Sequence, residues 1–127
     1  QARLEQLPEV AKVRSSPDYE QVSAYWPLLE EEKQHHLTMH TLNGPSRFIV
    51  EPLIFHDRPS VIGFTHVGRS LCGHYGILHG GAVATLFDES LGRAALHIAP
   101  RKTLSTANLE IDYRSPVTAD QFIEMRS

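Results

Sequence analysis

An α+β domain is predicted by three features of the sequence. Two runs rich in β-branched and aromatic residues, 48–55 and 60–67, precede one long stretch of helical periodicity at 80–97, and strand-like segments follow it at 104–113 and 121–126. Short helical pieces fill the first 43 residues.

A chain of 127 residues, 41% apolar and 21% charged, suits a single compact domain. At this size it buries roughly two-thirds of the surface its unfolded form exposes, so neither disulfides nor a structural metal is required. The single cysteine, Cys72, can close no internal disulfide and fits a reducing setting, which favours an intracellular location, cytoplasmic or mitochondrial. No uncharged apolar run approaches the ~18–20 residues of a membrane span. The chain starts at Gln1 without a secretory or Arg-rich leader pattern, so an upstream segment is expected to lie outside it and targeting is not readable.

Residues 1–43 carry 4 basic and 7 acidic groups and residues 44–127 carry 8 of each. The net charge of −3 therefore sits in the N-terminal part, and the remainder is balanced. That argues against a nucleic-acid partner, which demands a basic face able to displace counterions.

The elements follow in order. Residues 4–13 form helical pieces around Pro8, and Pro17-Asp18 makes a cap and turn. Residues 27–40 read as the best helix of this part, because Pro27 and Glu30, Glu31 and Glu32 open it and His35, His36 and His40 close it, matching the helix dipole. Asn43-Gly44-Pro45 stops it. Residues 48–55 and 60–67 form two strands separated by His56-Asp57-Arg58-Pro59, and 68–76, with three glycines, reads as a loop.

Ala82, Val83, Leu86, Phe87, Leu91, Ala94, Ala95 and Ile98 then recur at three- and four-residue spacing, which predicts a buried amphipathic helix. Gly81, Ala84, Asp88, Gly92 and Ala95 form a second stripe of small residues with one carboxylate in it. Pro100 ends the helix. The strand at 104–113 places Thr106, Asn108, Glu110 and Asp112 on one side and Ala107, Leu109, Ile111 and Tyr113 toward the core. Arg114-Ser115-Pro116-Val117 turns the chain into the last strand.

The chemistry concentrates in residues 79–88, a glycine pair opening a helix with an acid two turns inside. Free N–H groups and the positive dipole end at Gly80 and Gly81 suit an anion or a developing oxyanion, and one such donor is worth ~3 kcal/mol of barrier. Asp88, in an apolar neighbourhood, is either a general base or nucleophile, or a carboxylate paired with Arg93 or Lys102. Seven residues separate Gly81 from Asp88, ~10 Å along a helix axis, too far for both to serve one carbonyl carbon. A two-fold dimer that brings Gly81 of one chain to Asp88 of the other resolves the conflict.

The run from His79 to Asp88, together with the 104–116 segment ending Tyr113-Arg114-Ser115-Pro116, resembles the hotdog-fold acyl-CoA thioesterases, most nearly the branch of phenylacetic-acid-pathway and thioesterase-superfamily enzymes. The resemblance covers 47–127 and leaves 1–43 outside, so 1–43 is expected to be an N-terminal helical extension and 44–127 the thioesterase domain. It implies a long central helix wrapped by a curved antiparallel sheet, a homodimer or dimer of dimers with sites at its interface, an acyl-CoA substrate, and no cofactor. By position, Asp88 matches the catalytic acid, Gly81 the backbone oxyanion donor, and His79 borders the site. Thr106 matches a Ser or Thr from the other subunit that holds the water or acid. Gly80, His74 and Asn108 are expected to meet substrate.

Two departures stand out. Where some relatives carry Asn or Gln six residues before the motif histidine, this chain has Gly73, beside His74. The family fold also continues for two or three strands beyond residue 127, so the sheet is expected to be truncated at its C-terminal side.

Competing signals are weaker. His36 and His40 are i, i+4 but lack further ligands, and no His-Glu-x-x-His or Cys pair completes a metal set, so no metal is expected. Cys72 and His74 have no third group, and 68–73 lacks the Lys-Ser/Thr of a phosphate loop. A hotdog hydratase would place His five residues after an Asp, where this chain has Arg93 after Asp88 and Ile62 after Asp57. A non-catalytic acyl-thioester sensor on the same fold is the remaining alternative.

Overall fold

The computed structural model describes residues 2–22, 29–48, 53–57, 60–99 and 104–127. The helix start expected at Pro27, the strand residues 49–52, the turn at Arg58 and Pro59, the helix stop at Pro100, and Arg101 and Lys102 lie outside the described residues.

The N-terminal pieces form as expected. Helices α1 (Ala2–Glu5) and α2 (Pro8–Ser15) break at Pro8, which sits at the first helical position, where a missing N–H costs nothing. Residues 17–18 then turn into a strand that the sequence pattern does not predict, β1 (Glu20–Val22). The helix expected over 27–40 is not continuous. Among the described residues there is one turn, α3 (Glu30–Lys33), and a separate π-helical turn, Leu37–Thr41. The interruption lies at His36, whose extended backbone and Nδ1, accepting the Met39 N–H at 3.1 Å, start a new N-cap.

Strands β2 (Leu53–Asp57) and β3 (Ser60–Val67) pair antiparallel, so His56 and Asp57 belong to the ladder and not to the turn. The glycine-rich 68–76 stretch is also more ordered than a loop. It holds a 3-10 turn, Arg69–Leu71, and strand β4 (Cys72–His74), which pairs with β5 (Ile77–Leu78) around Gly76 at φ 75. Helix α4 runs Gly80–Ile98, and β6 (Gln121–Arg126) closes the sheet beside β3. The main sheet is ordered β1-β2-β3-β6, antiparallel throughout.

The β3 sequence explains the layering, because its side chains alternate between two apolar environments. Ile62 and Phe64 pack with Leu4, Val10 and Val13 of α1 and α2 on one face. Val67, on the other, packs with Phe48, Leu71 and Leu78, against which Ala82, Val83 and Leu86 of α4 rest. β6 repeats the alternation with Phe122 on the first face and Ile123 on the second. Burying each large side chain contributes ~1.5–3 kcal/mol. A long helix against an antiparallel sheet is an α+β architecture, the class the sequence predicts.

Two expectations need correction. α4 is not buried all round: it packs through Ala82, Val83 and Leu86, while Phe87, Leu91 and Ile98 are 48%, 49% and 69% exposed. No described strand covers that side. The strand expected at 104–113 is likewise not formed, since residues 104–117 make no ladder. The inward alternation survives only at Leu109 and Ile111, half-buried between exposed neighbours, while Tyr113 is 58% exposed.

Candidate functional site

The start of α4 is fixed from three directions. The Leu78 N–H donates to the Val117 carbonyl and the His79 N–H to that of Leu71, each at 2.8 Å, and Ile77 bridges Thr118. His79 is the N-cap, with φ −60 and ψ 136, and its Nδ1 accepts the Gly81 N–H at 2.8 Å. Its carbonyl takes the Ala82 and Val83 N–H groups. The amide expected to act as oxyanion donor is thus held by the neighbouring imidazole. That capping role is not visible in the sequence, because His is an uncommon N-cap beside Ser, Thr, Asp and Asn.

Residues 104–117 return along α4 and touch it through two hydroxyls. Thr106 Oγ1 donates to Asp88 Oδ1 at 2.5 Å, and Tyr113 Oη donates to the Gly80 carbonyl at 2.8 Å. The Thr106 contact is made within one chain, whereas the resemblance implied a partner's residue. It has the short geometry of a hydroxyl bound to a carboxylate, about 2.5–2.7 Å. Asp88 is half-buried. Arg93, an alternative partner for it from the sequence, pairs with Glu89 at 3.4 Å.

Gly81 and Asp88 lie seven residues apart on one unbroken helix, so the ~10 Å axial separation holds. The chain brings Asp88 to Thr106 and Gly81 to His79, but not the two pairs to each other. Beside Asp88, about 100° round the helix at Phe87, a groove of ≈ 320 Å³ opens between α4 and the 111–117 segment. Leu78, Val83, Phe87, Ile111, Tyr113 and Val117 wall it, Gly80 lies at the α4 start, and Asp112 and Arg114 are its charged residues. The volume falls at the small end of ligand pockets, ~300–1,000 Å³.

Of the other expected contacts, His74 and Asn108 are exposed and line no part of this groove. The Gly73 position touches the His79 ring, which a Cβ there would approach to 3.1 Å. Among the described residues no three His, Cys, Asp or Glu side chains gather as metal ligands, and no helix is long and apolar enough to cross a membrane. Neither the groove nor the Tyr113 contact is visible in the sequence. Alternation assigned Tyr113 to the core, and a hydroxyl-to-carbonyl bond across 33 residues leaves no mark in local pattern.

The chain is similar in sequence to known proteins. Residues 75–127 match the model of the thioesterase superfamily. The chain is 32% identical over 118 residues to the acyl-coenzyme A thioesterase THEM4 of Bos taurus, covering 89% of this chain and 47% of that protein. It is 30% identical over 127 residues to a UPF0644 protein of Schizosaccharomyces pombe, covering 98% of this chain and 48% of that one. An uncharacterized mitochondrial membrane protein of Saccharomyces cerevisiae is 26% identical over 129 residues, 98% of this chain and 50% of its own length. The chain spans about half the length of these curated relatives.

Proposed function

We propose, from the premise that the chain belongs over residues 75–127 to the thioesterase superfamily, that it hydrolyses an acyl-CoA thioester to free acid and coenzyme A. The observation carrying this reading is that the matched span, residues 75–127, takes in the whole of α4 together with Thr106 and Tyr113, and so includes His79, Gly81, Asp88 and Thr106, to which this reading assigns the chemistry. THEM4, named for acyl-coenzyme A, supplies the substrate class.

In this reading, Asp88, oriented by Thr106, removes a proton from water while the water oxygen forms a bond to the thioester carbon. The carbonyl electrons move to an oxyanion that takes the Gly81 N–H from His79 Nδ1. Collapse of the tetrahedral intermediate breaks the C–S bond, and the departing thiolate takes up the proton held by Asp88. Gly81 and Asp88 of one helix stand too far apart to share that carbon, so the site combines Gly81 of one chain with Asp88 of a second in a homodimer. The groove along α4 takes the acyl group. Residues 44–127 form the thioesterase unit, with 1–43 as an extension that shares its core. Mitochondrial names among the fungal relatives support a mitochondrial location.

Thiol release from acyl-CoA substrates of graded chain length tests this. Wild type turns over at least one, and Asp88→Asn lowers kcat about a thousand-fold with binding retained. Equal rates in both proteins refute the role of Asp88. The occupied Gly81 amide favours a second reading, an acyl-thioester-binding module, for which the same panel gives binding without release.

A further inference from the structure

Gly80 and Gly81 are joined by one peptide unit whose two polar ends are both engaged. Its carbonyl oxygen, that of Gly80, accepts Tyr113 Oη at 2.8 Å, and its N–H, that of Gly81, faces His79 Nδ1 at 2.8 Å. The unit is planar, so fixing the oxygen fixes the direction of the N–H. Both glycines lie in the first turn of α4, where helical dihedral angles set this plane and no Cβ reinforces them, so the Tyr113 bond adds a second constraint on it. The Tyr113 ring lies over Gly80, 3.7–3.8 Å from where a Cβ would stand, so the absence of a side chain at Gly80 leaves the ring room for this approach.

We infer that Tyr113 is a positioning residue for the oxyanion donor: its hydroxyl locks and polarises the Gly80–Gly81 peptide so that the Gly81 N–H meets the developing oxyanion. The inference rests on the thioesterase reading. A hydrogen bond accepted by an amide oxygen draws density from the amide nitrogen and makes its N–H a stronger donor. The gain is greatest when the oxygen opposite carries full negative charge, so it falls on the transition state more than on bound substrate. Tyr113 touches neither the water nor the thioester carbon in this arrangement and acts through the peptide.

The test is Tyr113→Phe in the intact protein, which removes the hydroxyl and keeps the ring in the groove wall. kcat falls about five-fold, KM changes by less than about two-fold, and the amide resonance of Gly81 moves upfield. Tyr113→Leu removes the hydroxyl within a different side chain. It shows the same fall in kcat and adds a rise in KM, because the groove loses its wall there. A wild type that hydrolyses acyl-CoA beside a Tyr113→Phe protein of unchanged kcat and unchanged Gly81 resonance overturns the inference and leaves the thioesterase reading standing. Absence of hydrolysis by wild type, measured before any substitution, refutes that reading and the inference with it.

Discussion

Replacing Thr106 by Val isolates the contact that makes Asp88 more than a half-buried carboxylate. The change is nearly isosteric and deletes one hydroxyl, the one donating to Asp88 Oδ1 at 2.5 Å. Hydrogen bonds to charged groups contribute roughly 1.5–3 kcal/mol. Thr106 is exposed and Asp88 half-buried, so water partly replaces the lost donor and the lower end applies. At 1.36 kcal/mol per decade, kcat falls about ten-fold. KM stays close to wild type, because the carboxylate acts on water and not on the bound acyl group. Stability changes little, since Thr106 occupies neither apolar cluster. Initial rates of thiol release at saturating acyl-CoA, with a thermal melt on the same samples, read both quantities. An unchanged kcat in a folded Thr106→Val protein refutes the orienting role and reduces the contact to packing.

Two further changes test the frame that carries the site. Gly68→Ala is expected to destabilise the protein by about 3 kcal/mol in a urea melt, because a Cβ at Gly68 would stand 2.1 Å from the Ser46 carbonyl carbon, a backbone atom with no room to yield. Gly68→Ala without such a loss contradicts the close approach of these segments. Phe64→Ala, at a site only 1% exposed between α1, α2 and the sheet, costs about 3–5 kcal/mol by the same measurement. A loss below about 1 kcal/mol means that the N-terminal helices do not share this core.

How far the sequence carried the fold depended on where each element finds its partners. α4 was legible because eight apolar residues at helical spacing and a histidine-glycine-glycine start are local facts, and the bounds differ from expectation by one residue at its end. β3 and β6 were legible through composition. β1 was not, because Glu20-Gln21-Val22 has no apolar alternation and exists through its pairing with His56, Phe55 and Ile54. The helix predicted over 27–40 is broken for the opposite reason. Its charges suit the dipole, yet His36 offers a local cap that starts a separate turn. Alternation at 104–113 gave the correct inward residues at Leu109 and Ile111 but could not supply a neighbouring strand, which is a tertiary matter.

The candidate site divides in the same way. His79, Gly80, Gly81 and Asp88 were visible because their spacing on one helix is fixed by 3.6 residues per turn. The intrachain bonds from Thr106 and Tyr113 cross 18 and 33 residues and depend on the path of 104–117 along α4. His74 and Asn108, chosen for residue type within the resemblance, fall outside the groove for want of any local constraint on where their segments lead.

The shared site is tested most directly by mixing two disabled chains. Asp88→Asn keeps the Gly81 amide, and Gly81→Pro removes that amide at the second helical position while keeping Asp88. Each alone is inactive. If each site takes one group from each chain, a mixed dimer holds one intact site and one doubly defective site, so random reassociation restores about a quarter of wild-type activity. Activity no greater than the sum of the two parents, in a mixture shown to contain the hybrid dimer, contradicts a site built from two chains.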